Sequence, residues 1–543
     1  MHISRYRFPV LVYVTALLIA LVMQVPQWLH MRDARYQGVL VHLNSDEAVY
    51  LAHLEEALTG RPQQSTEAIV GDAELMGTHT ALLERIEAAF FAATGWRAAT
   101  VEQMMDSIFP PLIFLALVLL FSLCGVSRGA AYLGALAFVF VEFYSLNRPV
   151  QPRGSFLLLI LACSGIIAGL DRRIIFGMFG GALLGILIGI YFWAWTFGWL
   201  WLGLVGLFEV IVWAKPRSVQ SKKRVLRVLL FGLIGAIAAI PALSEWWRIA
   251  HHPLYEFAAF RSGMHPSRLP ESLPYSVLFT VMVAGVLRSL WSQWGAMRRY
   301  RFLALTVLAG FIAIHQQLVH GIVFNFVSHY LFSLVVCAVS VVLLAHALRT
   351  RVLMISACAA IIYLAALTYD GRHVFKQFTV TAERFSEQHF ATLLPILDDL
   401  SRATILSDPE TSLFLAASTH HDVPYTMYLK NVLMTHEEIA ERFCLTQIPV
   451  PPDERHLGEQ MPIYPDSDSA FNDDPLVHQQ EVEMVTAACA KADRDPVGEL
   501  TSFHVHYILW DEQRKPEWKL DRLRIALKKV AEAPGWSLWS FNP

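Results

Sequence analysis

Eleven mostly apolar stretches follow one another through the first 370 residues, near 8–29, 108–125, 129–146, 155–170, 174–194, 195–214, 225–243, 273–291, 302–320, 329–348 and 352–369. No other feature narrows the fold as far, because a helix needs about 20 such residues to cross a hydrocarbon core about 30 Å thick. The run from Ile174 to Ala214 has no charged break. At 1.5 Å per residue it would reach roughly 60 Å, twice that core, so it must fold back on itself. The aromatic cluster Trp193–Trp199 suits a membrane interface and is the expected turning point.

Composition agrees. Of 543 residues, 55% are hydrophobic and 16% charged, with a mean hydropathy of +0.43. A soluble chain carries about 25% charged residues. No basic run accompanies a nucleic-acid fold, so nucleic acid is excluded as a partner. Cys124, Cys163, Cys337 and Cys358 fall in apolar spans and read as packing residues. Cys444 and Cys489 fall in the polar C-terminal region and can form a disulfide if that region is extracytoplasmic.

Lysine and arginine set the orientation. With eleven spans, Arg5 and Arg7, Arg128, Arg172 and Arg173, the cluster from Lys215 to Arg227, Arg298 to Arg301, and Arg349 with Arg351 all fall on one side. The expected protein is therefore a multi-pass inner (plasma) membrane protein with a cytoplasmic N-terminus. The transmembrane domain runs over 1–369, with long extracytoplasmic loops at 30–107 and 244–272. Residues 370–543 form a small extracytoplasmic α/β domain. Its expected elements are a strand at Ala403–Ser407, a helix from Thr435 to Phe443 capped by Thr435, a strand at Val505–Trp510, an amphipathic helix from Leu520 to Ala533 and a last strand at Trp536–Phe541. In the first loop, Asp46 to Leu58 reads as a helix with Leu51, Leu54 and Leu58 on one face and Gly60 as its stop. Thr80 to Thr94 reads as a second helix, with Leu82, Leu83, Ile86 and Phe90 on the face that would lie in the interface.

The first loop opens with Asn44-Ser45-Asp46-Glu47-Ala48-Val49-Tyr50. Acids in a first helical turn favour the helix dipole, and Asn44 or Ser45 can cap, so a purely structural reading exists. The same placement puts a rigid carboxylate at the mouth of a membrane cavity, where it can take a proton from an acceptor hydroxyl.

This acid pair after the first span, continuing through Tyr50 to Gly60-Arg61, resembles the GT-C superfamily of membrane glycosyltransferases. So do the long helical first loop, the span number and the extracytoplasmic C-terminal domain. The resemblance implies a polytopic α-helical enzyme that takes sugar from a polyprenyl-phosphate-linked donor and passes it to a lipid, glycan or protein acceptor. It also implies Asp46 as general base, Glu47 as helper or contact to a divalent cation, Tyr50 as a substrate contact, and membrane lipids as surroundings. A later acidic motif common in that family is represented here only by Glu245, Glu256 and Glu271.

Other outer segments supply candidate ligands. Arg148 and Arg153 run against the positive-inside bias. They read either as interfacial arginines or as a clamp for the donor's phosphate, which the guanidinium fork suits. Arg261, His265 and Arg268 compete for that role. Gln317, His320, His329 and Tyr330 lie at membrane depth, where polar groups face a cavity or a partner helix. His315 and His320, five apart, do not share a face for zinc. Two rival functions remain open: a lipid or solute transporter or flippase, and a non-catalytic scaffold of the same architecture that binds glycans.

Overall fold

The computed structural model describes residues 3–40, 47–60, 76–78, 81–147, 150–214, 219–270, 272–323, 327–370, 378–459, 462–464, 475–521, 523 and 527–542. The chain divides into two compact units. One holds Met1–Pro26, Gln103–Trp246 and Pro266–Thr379; the other holds Gln27–Glu102, Trp247–His265 and Val380–Pro543. The boundary therefore differs from a cut after residue 369, because most of the first loop and part of the 244–272 loop group with the C-terminal region.

The first unit is helical. Each of the eleven expected spans coincides with a helix, but among the described residues eight are long and apolar enough to cross a membrane. Arg128–Val141, Ile174–Leu187 and Arg301–Ile314 have 14 residues each, about 21 Å of rise, short of a full crossing. The turn in the long apolar run comes at Ile188–Tyr191, ahead of the tryptophan cluster expected to make it. There the ladder tightens, with Ile188, Gly189 and Ile190 donating to Gly185, Ile186 and Leu187 three residues back. The tryptophans secure this break from outside it. Trp199 donates its indole N–H to the Leu184 carbonyl at 3.1 Å, and Trp246 donates to Ile188 at 3.0 Å, satisfying carbonyls that the ending helix leaves free.

Small residues let neighbouring helices approach closely. A Cβ on Gly165, in the Val150–Asp171 helix, would meet the Phe176 carbonyl at 2.7 Å, so glycine is required for the hairpin with Ile174–Leu187. At the end of that hairpin Asp171, Glu209, Arg224 and Arg301 form an ion network. Arg301 Nε lies 3.2 Å from Glu209 and Arg224 Nη2 2.5 Å from Asp171.

The second unit contains a four-stranded mixed sheet. Its order is Thr404–Leu406, Val505–Asp511, Trp536–Phe541, Leu527–Ala533, with the first pair parallel and the others antiparallel. Successive side chains serve opposite cores, as the two-residue strand period requires. Leu406 and Ile508 join one apolar cluster, and Ile405 and Leu509 the other. Thr435 caps the helix His436–Gln447, its Oγ1 accepting the Glu438 N–H at 3.1 Å. That helix is joined to Pro475–Arg494 by a Cys444–Cys489 disulfide.

The helix expected over Leu520–Ala533 is replaced in its described C-terminal half by a strand. Leu527–Ala533 is an edge strand, because Pro534-Gly535, with Gly535 at φ 99°, turns it back onto Trp536–Phe541. Pairing across this turn outweighs the helical spacing of the apolar residues. Lys528 and Lys529 then guard the open edge.

Candidate functional site

Asp46 and Arg148 lie outside the described residues. Glu47 opens the helix Glu47–Leu58 and is itself buried, with 9% of its surface exposed. Leu51 and Leu54 are fully buried, and Gly60 follows the helix at φ 70°. The polar side is covered as well: His53, Glu55 and Glu56 are all buried. This helix packs against Leu82–Phe91, which turns its acids inward. Glu84 and Glu87 are buried, while Phe90 is 76% exposed and Ile86 also faces out.

Among the described residues from Glu47 to Glu102, six carboxylates (Glu47, Glu55, Glu56, Glu84, Glu87 and Glu102) and the His53 imidazole are thus buried. His53 Nδ1 lies 3.8 Å from Glu84, and Glu55 Oε2 accepts the Ala98 N–H at 2.8 Å, at the start of the helix Ala98–Leu123. Tyr50 meets the His53 ring edge-on at 6.2 Å. Burying carboxylates is expensive unless they are paired or hydrogen-bonded, and such groups concentrate where chemistry is done. Sequence reasoning singled out Glu47 and Tyr50 and missed the rest. The three-residue spacing of Glu84 and Glu87 was a signal that they share a face, but apolar periodicity assigned that face to water. Among the described residues, no group of three or more His, Cys, Asp or Glu side chains is arranged to hold a metal ion.

The first unit gathers other predicted residues into two groups. His329 stacks on Tyr191 at 6.1 Å and meets Trp193 edge-on, and Tyr330 shares a 2.8 Å hydrogen bond with Thr196. The second group comprises Arg268, whose Nη1 donates to the Leu318 carbonyl at 2.7 Å, buried Gln317, and exposed His320, whose Nδ1 accepts the Ile322 N–H. Arg153 stands apart from both. It is fully buried, ion-paired with Asp106, and donates to the Leu146 carbonyl at 3.3 Å.

Arg261, in the second unit, closes the short helix Tyr255–Arg261 and is 2% exposed. Its Nε, Nη1 and Nη2 donate to the carbonyls of Lys430, Met434 and Val432 at 3.2, 2.9 and 2.6 Å. Burial pushes its pKa down to about 10, which leaves it charged at neutral pH. Burial and the nearby Arg261 charge push His436 down to about 4. His265 ends the 247–265 segment of the same unit.

No protein-family model matches the chain, and no curated protein sequence does. Solved structures do. The archaeal oligosaccharyltransferase AglB from Archaeoglobus fulgidus, in complex with an inhibitory peptide and a dolichol-phosphate, aligns with 100% of this chain and 75% of its own, at TM-score 0.50 and 13% identity. The mycobacterial arabinofuranosyltransferase AftD aligns with 98% of this chain and 40% of its own, at TM-score 0.50 and 13% identity. The chain has the fold of the GT-C membrane glycosyltransferases. ArnT from Cupriavidus metallidurans aligns end to end, over 99% of this chain and 98% of its own, at TM-score 0.48 and 12% identity. A GT-C fold accounts for the many apolar helices combined with a second unit built partly from loops between them.

Proposed function

We propose that this protein is a membrane glycosyltransferase that moves a sugar from a polyprenyl-phosphate-linked donor to a lipid, glycan or protein acceptor on the extracytoplasmic face. The observation that carries the reading is the likeness over the whole chain to AglB, a transferase seen with dolichol-phosphate. The buried carboxylates that begin at Glu47 support it. Asp46 takes the proton from the acceptor hydroxyl, and Glu47 assists from the first turn of a helix packed on all sides. The acceptor oxygen forms a bond to the sugar C1 as the bond from C1 to the phosphate oxygen breaks, and that electron pair leaves with the lipid phosphate. In-line displacement inverts the configuration at C1.

Arg268, which stays exposed beside its bond to the Leu318 carbonyl, and Arg148 contact the departing phosphate, whereas Arg153 and Arg261 are buried against Asp106 and three carbonyls. Tyr50, His265, Gln317, His320, His329 and Tyr330 contact sugar or acceptor. A divalent cation would be held by Asp46 with Glu47.

Asp46→Asn tests the reading. The variant is expected to insert and fold like the parent, with the Cys444–Cys489 bond formed, yet to transfer no labelled sugar from a polyprenyl-phosphate-linked donor in reconstituted vesicles. Full transfer by Asp46→Asn would sink it.

A further inference from the structure

Between the helices Arg301–Ile314 and Leu331–Leu348, and just before Leu273–Ser292, two short segments of the first unit are pinned together. Ser267 donates its N–H to the Gly321 carbonyl at 3.0 Å, and Arg268 Nη1 reaches the Leu318 carbonyl at 2.7 Å. Gly321 takes the left-handed backbone at φ 76°, with the Arg268 guanidinium lying against it. The result is a braced plate outside the spanning helices. Its outward side chains are apolar: Val319 is 81% exposed, Leu269 75%, Leu318 49% and Ile322 42%.

We infer that this plate, Leu269 with Leu318, Val319 and Ile322, is a bilayer-docking surface that seats in the interfacial layer of the membrane. Three observations favour lipid as its occupant. The patch adjoins the exposed apolar side of Leu273–Ser292, a helix long and apolar enough to cross a membrane, on which Leu273 and Val277, one helical turn apart, are both exposed. Polar groups sit beside the apolar ones, with Arg268 and His320 both exposed, the arrangement in which cationic side chains stay at headgroup level while apolar neighbours enter the acyl boundary. The brace also holds the segment in one shape, so four apolar side chains are presented together rather than collapsing on each other. This inference does not depend on the transferase reading; a transporter or a scaffold with this fold would seat the plate in the same way.

Nitroxide depth measurement on the full-length protein in phospholipid vesicles tests it. The native Cys124, Cys163 and Cys337 are buried and Cys444 is disulfide-bonded to Cys489, so Cys358→Ser removes the one exposed free cysteine among the described residues. Single Val319→Cys and Leu269→Cys labels are then compared with Lys519→Cys, a surface lysine whose side chain is 56% exposed. At 319 and 269, collisions with dissolved oxygen are expected to exceed those with an aqueous nickel chelate, and at 519 the order is expected to reverse. Two outcomes overturn the inference. Labels at 319 and 269 that behave like the one at 519 would mean a water-facing plate. Labels shielded from both relaxers would mean that protein, such as a second copy of this chain, covers it.

Discussion

Replacing Arg261 separates a structural guanidinium from a ligand-binding one. Its three donors end on the carbonyls of Lys430, Val432 and Met434, in a stretch that also pairs with the first loop. Leu433 donates to Met76 and Asn431 accepts from Thr78, both at 2.8 Å. A hydrogen bond from a charged donor contributes about 1.5–3 kcal/mol net, and each buried carbonyl left without a donor costs about 1–3 kcal/mol. The parent also bears the expense of burying the guanidinium, so these figures do not simply add. Breaking such an arrangement from one side costs about 3–5 kcal/mol. Arg261→Ala should therefore open the 430–434 segment locally. Three kcal/mol corresponds to roughly a hundredfold change in an opening equilibrium. Amide hydrogen exchange reads it directly: the N–H groups of Leu433 and Thr78 should exchange about two orders of magnitude faster. Arg261→Lys, which supplies donors without the fork, should recover part of the protection. Unchanged exchange at Leu433 and Thr78, together with a raised KM for a phosphate-bearing donor, would refute the argument. That pattern would return Arg261 to phosphate binding.

Three further outcomes follow from other parts of the chain. Asp106→Asn leaves the Arg153 charge buried without its carboxylate, so the folded yield in detergent should fall as for a loss of about 3–5 kcal/mol, with Asp106→Asn/Arg153→Met recovering much of it. Removing the disulfide with Cys444→Ser/Cys489→Ser frees a segment of 45 residues and should lower stability by about 4 kcal/mol, read as a lower midpoint of thermal unfolding. Glu481 is pushed by burial from its ordinary 4.5 up to about 7, against the pull of the Ile463 and Tyr464 N–H groups. A raised carboxylate makes the folded state hold its proton longer. Its contribution is therefore intact below pH 4.5 and is lost as pH rises to 7, by up to about 3 kcal/mol, and Glu481→Gln should flatten the stability profile in that window.

The legible parts of the fold are those where one periodicity dominated. Apolar length alone located helices for all eleven spans, and Thr435 announced a helix start because a capping hydroxyl acts locally. What escaped was set by distant partners. The turn at Ile188–Tyr191 depends on indole donors from Trp199 and Trp246, one of them 58 residues away, and nothing at the turn itself signals them. Leu527–Ala533 carries helical spacing and is a strand because the Pro534-Gly535 turn gives it a partner to pair with.

The candidate site divides along the same line. Glu47 stood out in the sequence because it follows the first apolar span at the start of a helix, and the structure places it there, buried. Glu55, Glu84, Glu87 and Glu102 were not, since a sequence counts glutamate as solvent-facing until a fold covers it. That difference bears on mechanism. A helix needs an acid in its first turn only for its dipole, an effect of about 0.3–1 kcal/mol, and solvent-exposed carboxylates provide it. Capping gives no reason to enclose Glu47 together with five further carboxylates and His53. The proposed transfer supplies such a reason, since a carboxylate that takes a proton from an acceptor hydroxyl works best where water is kept out.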